Sequence, residues 1–407
     1  MNSKNIDLHR DSYRWVVLIL FIIVALISQL LWLTFAPISS EVADRFTITA
    51  FDVSLLSLVW PLVFVFLALP VGIFIDRHGF KKSVGVGSLF LAIFATLRVF
   101  STSLDNNFTI LLIAQTGAAV SQPFIFGSIT KLSAAWFPEE EHGLANGLGT
   151  IGLFLGMMLA LAITPFLFQS YGLSSMLLIY AAISCIGAFL FIMFSKEGAS
   201  IAEAQEVSSF RPGDIWALSK VRSFFILEFG FFAVVGGFTA IMTWIEEILN
   251  ALHGATIEEA GIIGGIMIIG GIIGSIVIPI ISDKSKRIKP FVLLNLAIGT
   301  VILFLIGNFS NFIMLSVAFF IAGFFLMSAL PLVLEISSRI SGSGMEGRAS
   351  SLLWFFSQAG SVILIAIVEP IESLTGSYYY SLAAIGVLWT ISFLLFIGIN
   401  EQQKLPA

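Results

Sequence analysis

Stretches of about 20 mostly apolar residues follow one another along the chain, each cut off from the next by charge, glycine or proline. A hydrocarbon core about 30 Å thick takes about 20 helical residues to cross, and inside it every backbone N–H and C=O must be satisfied within the segment. The chain is therefore expected to be an all-α integral membrane protein. Composition agrees, with 58% hydrophobic and 11% charged residues, where soluble domains average about 45 to 50% and about 25%. The first apolar stretch, Trp15 to Ala36, is too long for the core of a cleaved signal peptide and reads as the first crossing.

The spacing predicts helices at about 14–36, 51–75, 82–101, 107–133, 143–168 and 174–195, then at about 222–249, 258–282, 288–307, 311–338, 346–371 and 377–399. This is a twelve-helix protein of two pseudo-symmetric six-helix bundles, with residues 1–195 and 222–407 as its halves and 196–221 as a polar linker. On that arrangement eighteen of the 20 Lys and Arg residues fall on one side, leaving only Arg45 and Arg98 on the other. The excess of cations on one face places both termini and the linker in the cytoplasm, in an inner or plasma membrane. A net charge of −5 with no basic cluster argues against nucleic acid as a partner. The expected partners are a lipid bilayer and a small-molecule substrate, with the chain acting as a monomer.

The loop between the second and third helices reads Gly72-Ile-Phe-Ile-Asp-Arg-His-Gly-Phe-Lys-Lys82. Gly72 suits a close helix approach, Gly79 a tight turn, and Asp76 can hold cations or a helix N-terminus beside Arg77, Lys81 and Lys82. Such contacts would form and break as two halves move. A decayed copy, Asp283-Lys284 with Lys286, Arg287 and Lys289, follows the eighth helix, where Pro279 replaces the first glycine and nothing matches Gly79. The pattern G-x-x-x-D-R-x-G-x-K-K resembles the signature of the major facilitator superfamily. That resemblance implies alternating access, with substrate bound midway across the membrane between the halves.

A narrower resemblance rests on Arg14-Trp-Val-Val-Leu, Trp32-Leu-Thr-Phe-Ala-Pro-Ile, Gln122-Pro-Phe-Ile-Phe-Gly, Ala135-Trp-Phe-Pro-Glu-Glu-Glu and Ala349-Ser-Ser-Leu-Leu with Ser357-Gln-Ala-Gly. Together these look like the feline leukaemia virus subgroup C receptor-related family, linked to choline, haem and related cargo. In choline-carrying members a tryptophan of helix 1 and glutamines of helices 4 and 11 line the cavity, which by resemblance fall on Trp32, Gln122 and Gln358. The family's cavity tyrosine of helix 7 falls on Thr239, removing one wall of an aromatic cage.

The residue chemistry is compatible with these roles. A tryptophan face over a cation is worth about 0.5 to 2 kcal/mol, and each glutamine offers two donors and a carbonyl to orient a polar solute. Packing and interhelical hydrogen bonding are the alternatives for all of them. Glu228 and Glu335 are candidate coupling carboxylates, although Glu335 stands four residues before Arg339, the spacing of a helical ion pair. Glycines Gly149, Gly152 and Gly156, and Gly270, Gly271 and Gly274, form small-residue faces for tight helix packing. No nucleophile-and-base set or metal-ligand pattern supports an enzyme, and no cofactor is called for. The expected function is secondary active or facilitative transport of a small organic solute, an organic cation such as choline among the candidates. Proton-coupled efflux of drugs or metabolites, and a non-transporting sensor on the same scaffold, are the alternatives.

Overall fold

The computed structural model describes residues 3–103, 107–138, 141–198, 218–309, 311–341 and 346–399. Among them there is no strand. The first part of the chain forms α1 (Ser3–Leu33), α2 (Ser39–Phe46), α3 (Ala50–Ser103), α4 (Phe108–Ala119), α5 (Ser121–Phe126), α6 (Ile129–Trp136) and α7 (His142–Phe194). The second forms α8 (Arg222–Thr243), α9 (Ile245–His253), α10 (Ile257–Ser285), α11 (Lys289–Leu305), α12 (Phe312–Ser341), α13 (Glu346–Thr375) and α14 (Tyr378–Ile397).

Two of these helices are double crossings. At about 1.5 Å per residue, the 54 residues of α3 and the 53 of α7 would each run more than twice the thickness of a bilayer core. Each is broken by one glycine in the left-handed region, Gly79 at φ 81° and Gly172 at φ 73°, where a Cβ would clash with the backbone. Among the described residues eleven helical stretches are long and apolar enough to span, one of them the 51-residue run Leu144–Phe194. Dividing that run at Gly172 gives the twelve crossings expected from the sequence.

Two expected helices are interrupted. The fourth crossing, expected as one helix, is three short pieces, α4 to α6. Pro123 brings no N–H to the middle piece, and α5 ends at Gly127. The seventh crossing, expected to run to about 249, ends at Thr243. Trp244 then takes a non-helical φ −101°, ψ 19° before α9 begins. Of the polar linker, residues 199–217 lie outside the described residues.

The chain forms two compact units. Unit 1 comprises Met1–Phe35, Asp44–Ile48 and Val63–Ser208, and unit 2 comprises Ala36–Ala43, Thr49–Leu62 and Ser209–Ala407. Within unit 1, α1 packs on α7 through glycine. A Cβ on Gly156 would stand 2.1 Å from the Leu26 carbonyl oxygen, and one on Gly152 3.1 Å from that of Ile22. Within unit 2 the equivalent pair, α8 on α13, meets through Gly236 and Gly360, with a Cβ on Gly360 falling 2.2 Å from the Phe232 oxygen. The first and fifth crossings of each repeat are thus joined by the same device, close backbone approach at a small residue.

Candidate substrate-binding residues and gate

In unit 1 the last turn of α1 is held by side chains from two neighbours. Arg98 of α3 is 1% exposed. Its Nη2 donates to the Leu31 carbonyl at 2.8 Å and its Nη1 to Thr34 Oγ1 at 3.3 Å, while its guanidinium lies 5.5 Å from the Phe35 ring centroid. Gln115 of α4 donates from Nε2 to the carbonyls of Leu31 at 3.2 Å and Trp32 at 3.4 Å. These are the carbonyls a helix end leaves without intrahelical partners, and a cation there also meets the negative end of the helix dipole. By charge counting alone Arg98 is one of two cations allotted to the far face, within the helix expected at about 82–101. It is instead a buried charge that shapes the helix end carrying Trp32, and the signal was available as a lone cation inside an apolar run.

Trp32 sits in that last turn, 6% exposed. Gln122 lies in the short α5, 3% exposed, and its Oε1 is buried without a hydrogen-bond partner. In unit 2, Thr239 and Gln358 are 5% and 8% exposed. The Thr239 hydroxyl donates to the Val235 carbonyl at 2.9 Å, one turn back on its own helix. Two small pockets within unit 2, each of about 20 Å³, are lined by residues such as Phe231 and Val234, and Met267 and Trp389, and contain neither Thr239 nor Gln358. Glu228 is 1% exposed, with Oε1 accepting from Ser219 Oγ at 2.6 Å and Oε2 buried without a partner. Glu335 pairs with Arg339 one turn on, partly in solvent.

The loop at Gly79 is built differently from the sequence expectation in two respects. Nothing lies within 4 Å of where a Cβ on Gly72 would stand, so the close helix approach read there is not made in this structure. The carboxylate at the turn is that of Glu197, whose two oxygens accept from the main-chain N–H groups of Phe80 and Lys81, each at 3.0 Å. It caps the positive N-terminal end of the second half of α3. Lys131 Nζ donates to the Ile75 carbonyl at 3.0 Å, capping the helix end on the other side of the turn. The side chains of Asp76 and Asp283 lie outside the described residues.

In the decayed copy the left-handed position is filled by Lys286 at φ 55°. A side chain in that region costs about 1 kcal/mol. Lys286→Gly should therefore raise stability by up to about 1 kcal/mol, read as a higher thermal midpoint. An unchanged or lower midpoint would mean that the lysine side chain compensates.

The Major Facilitator Superfamily model matches residues 18–365. The chain belongs to the major facilitator superfamily. It is a multi-pass membrane transporter that moves a small-molecule solute by alternating access. Relatives of this transporter include an uncharacterised protein of Archaeoglobus fulgidus, 36% identical over 226 residues, the match covering 56% of this chain and 100% of that one. Solute carrier family 49 member A3 of Danio rerio is 27% identical, with 95% of this chain and 84% of the relative covered. The choline/ethanolamine transporter FLVCR1 of Mus musculus is 25% identical, with 84% and 66% covered. These relatives agree with the narrower family likeness read from the sequence. Among solved structures, a bacterial homolog to the human lysosomal transporter Spinster, inward-facing and unoccupied, superposes with a TM-score of 0.74 at 15% identity, covering 97% of this transporter and 99% of the homolog. At that identity the likeness speaks for the fold. The family and the structural neighbours are transporters.

Proposed function

We propose that this transporter is a facilitative carrier of a small organic cation bearing a hydroxyl, choline or ethanolamine in type, and not an enzyme. The observation that carries the reading is the buried, unpartnered Oε1 of Gln122. An unsatisfied buried acceptor costs about 1 to 3 kcal/mol, which a solute hydroxyl, or the N–H of a primary ammonium such as that of ethanolamine, would recover on binding. Trp32 supplies an aromatic face for the cation and Gln358 a second amide, with Thr239 in place of a further aromatic wall. The named relatives that carry choline and ethanolamine support the same class. Residues 1–195 and 222–407 are the moving halves of this reading, with Gly72, Asp76, Arg77, Gly79, Lys81, Lys82 and Asp283 in the gating loops. Both termini and the linker lie in the cytoplasm of a plasma or inner membrane, and a monomer suffices.

Uptake of radiolabelled choline by proteoliposomes, with and without internal choline, tests the reading. The expected result is saturable exchange, with Trp32→Ala raising KM about tenfold or more, the scale of a desolvated cation–π contact. Saturable binding with neither accumulation nor exchange would make the chain a sensor, and unaltered transport in Trp32→Ala together with Gln358→Ala would remove the site.

Glu228 favours a second reading, proton-coupled efflux, because one oxygen of this buried carboxylate is bonded to Ser219 and the other is left without a partner. In that case Glu228→Gln abolishes pH-driven transport while sparing exchange. Glu335, already paired with Arg339, is the weaker coupling candidate.

A further inference from the structure

Unit 2 contains a pair of carboxylates that the proposed transport site does not use. Trp244 breaks the chain between α8 and α9, and its Nε1 donates to the Ile365 carbonyl at 3.0 Å. The break is followed at once by Glu246 and Glu247. Glu246 is 2% exposed. Its Oε2 accepts from Ser40 N at 3.0 Å and its Oε1 from Ser40 Oγ at 2.9 Å. Ser40 stands in the first turn of α2, so this carboxylate caps the N-terminal end of a helix 206 residues away in sequence. Glu247 is hydrogen-bonded to the adjacent Ser39. Ser39 and Ser40 belong to Ala36–Ala43, the short piece of chain that packs within unit 2 although it lies between two stretches of unit 1.

The titratable groups facing the pair come from several elements. Glu41 of α2 acts on Glu246, and Glu369 of α13 acts on Glu247. Tyr378 of α14 faces both glutamates, and Asp52 and Glu372 act on Glu369. Each of these neighbours is either neutral or an acid. His253, at the far end of α9, is bonded to the main chain of Ile306 and Phe309.

We infer that Glu246 and Glu247 form a proton-operated latch on Ala36–Ala43, which holds while the pair keeps a proton and lets go when both carboxylates are charged. In the closed state one ionised carboxylate, Glu246, suits the helix N-terminus and the two Ser40 donors. A second charge, on Glu247, has its hydrogen bond to Ser39 but is opposed by burial and by the charge of Glu246. Burial raises both carboxyls, and Glu247 is pushed up to about 8, by burial first and by the charge of Glu246 second. Once the segment lifts, water reaches the pair and both acids return toward the ordinary carboxylate range. The closed state therefore binds more protons than the open one. Closure is fully present below the ordinary carboxylate range and is lost as pH rises toward about 8. One proton changes the opening equilibrium by at most about tenfold per pH unit across that window. The latch does not depend on which solute is carried, so its failure and that of the proposed choline site are separately visible.

Hydrogen exchange of the purified full-length protein reads the latch directly, using the amides of Ser40–Phe46 corrected for their intrinsic exchange rates. Wild-type protection is expected to fall by about tenfold or more between pH 5.5 and pH 8. Glu247→Gln, isosteric with the protonated acid, should keep that protection level across the range. Glu246→Gln should move the remaining pH dependence to lower pH, because Glu247 loses the charge beside it. Level protection in the wild type, a parallel fall in the α4 and α14 amides that marks general loosening, or a Glu247→Gln profile equal to wild type would each overturn the latch. If Glu247→Gln does not fold, the wild-type profile decides alone.

Discussion

Gly274→Leu is expected to leave little folded protein. A Cβ at that position would stand 1.8 Å from the Phe324 carbonyl oxygen and 2.6 Å from its carbon. Both atoms are backbone, so no side chain can swing aside. The same seam is tight from both directions, with a Cβ on Gly270 2.2 Å from the Phe320 oxygen and one on Gly323 1.9 Å from the Met267 oxygen. Overpacking a core typically costs about 1 to 3 kcal/mol when side chains can adjust. Here α10 and α12 would have to separate along their length, and the loss should exceed about 3 kcal/mol. Size-exclusion profiles and thermal midpoints check it, with Gly147→Leu as the control, since nothing lies within 4 Å of a Cβ there. A wild-type midpoint in Gly274→Leu would mean that the seam is not a constraint.

The second large effect is expected at Arg98. Arg98→Leu removes two donors from the end of α1 and leaves the Leu31 carbonyl with the Gln115 amide and the Thr34 hydroxyl as side-chain donors. Hydrogen bonds to a charged group contribute about 1.5 to 3 kcal/mol each, so a loss of about 3 kcal/mol is expected, together with reduced transport because Trp32 rides on the same turn. Arg98→Lys keeps the charge but not the planar fork, and should fall between. Because Arg98 and Gln115 share the Leu31 carbonyl, the double variant with Gln115→Leu should be non-additive. If Arg98→Leu proves as stable as the wild type, then desolvating the guanidinium already offsets its bonds, as happens for some buried charges. Chemical denaturation read against uptake separates the two outcomes.

The number and order of crossings were legible because membrane thickness sets a length that apolar runs reveal directly. The Gly79 turn was legible too, since glycine between two helices and amid cations has few other uses. What surrounds that turn was not. Glu197 looked like the start of a polar linker, and its bonds to Phe80 and Lys81 span more than a hundred residues, a distance no local pattern encodes. The break at Trp244 was hidden because neither proline nor glycine marks it, and the two glutamates just beyond it read as the outer end of one continuous helix. Arg98 was assigned to a face because charge counting allots each cation to the nearer helix end, whereas the carbonyls that retain it belong to another helix.

The candidate site was legible only as a set of polar or amphipathic residues at membrane depth. Trp32, Gln122, Thr239 and Gln358 are all buried. Burial alone does not separate them from Ser28, Gln29 or Asn295, which are buried as well. Family likeness supplied the choice among them; of the four, Gln122 alone has a buried atom with unmet hydrogen-bonding capacity, a property it shares with Ser28, Gln29 and Asn295.

The composition of unit 2 has a consequence for the order of synthesis. Residues 36–43 and 49–62 leave the ribosome well before the body they pack with, which begins at Ser209. They must wait in or beside the membrane while about 150 further residues are made, with the donors of Ser40 unmet until Glu246 arrives. A fragment beginning at Ser209 would lack part of its own core, and a fragment ending at Ser208 would carry apolar surface that belongs elsewhere. Halves expressed from separate genes should therefore assemble only when made together, each acting as the other's chaperone.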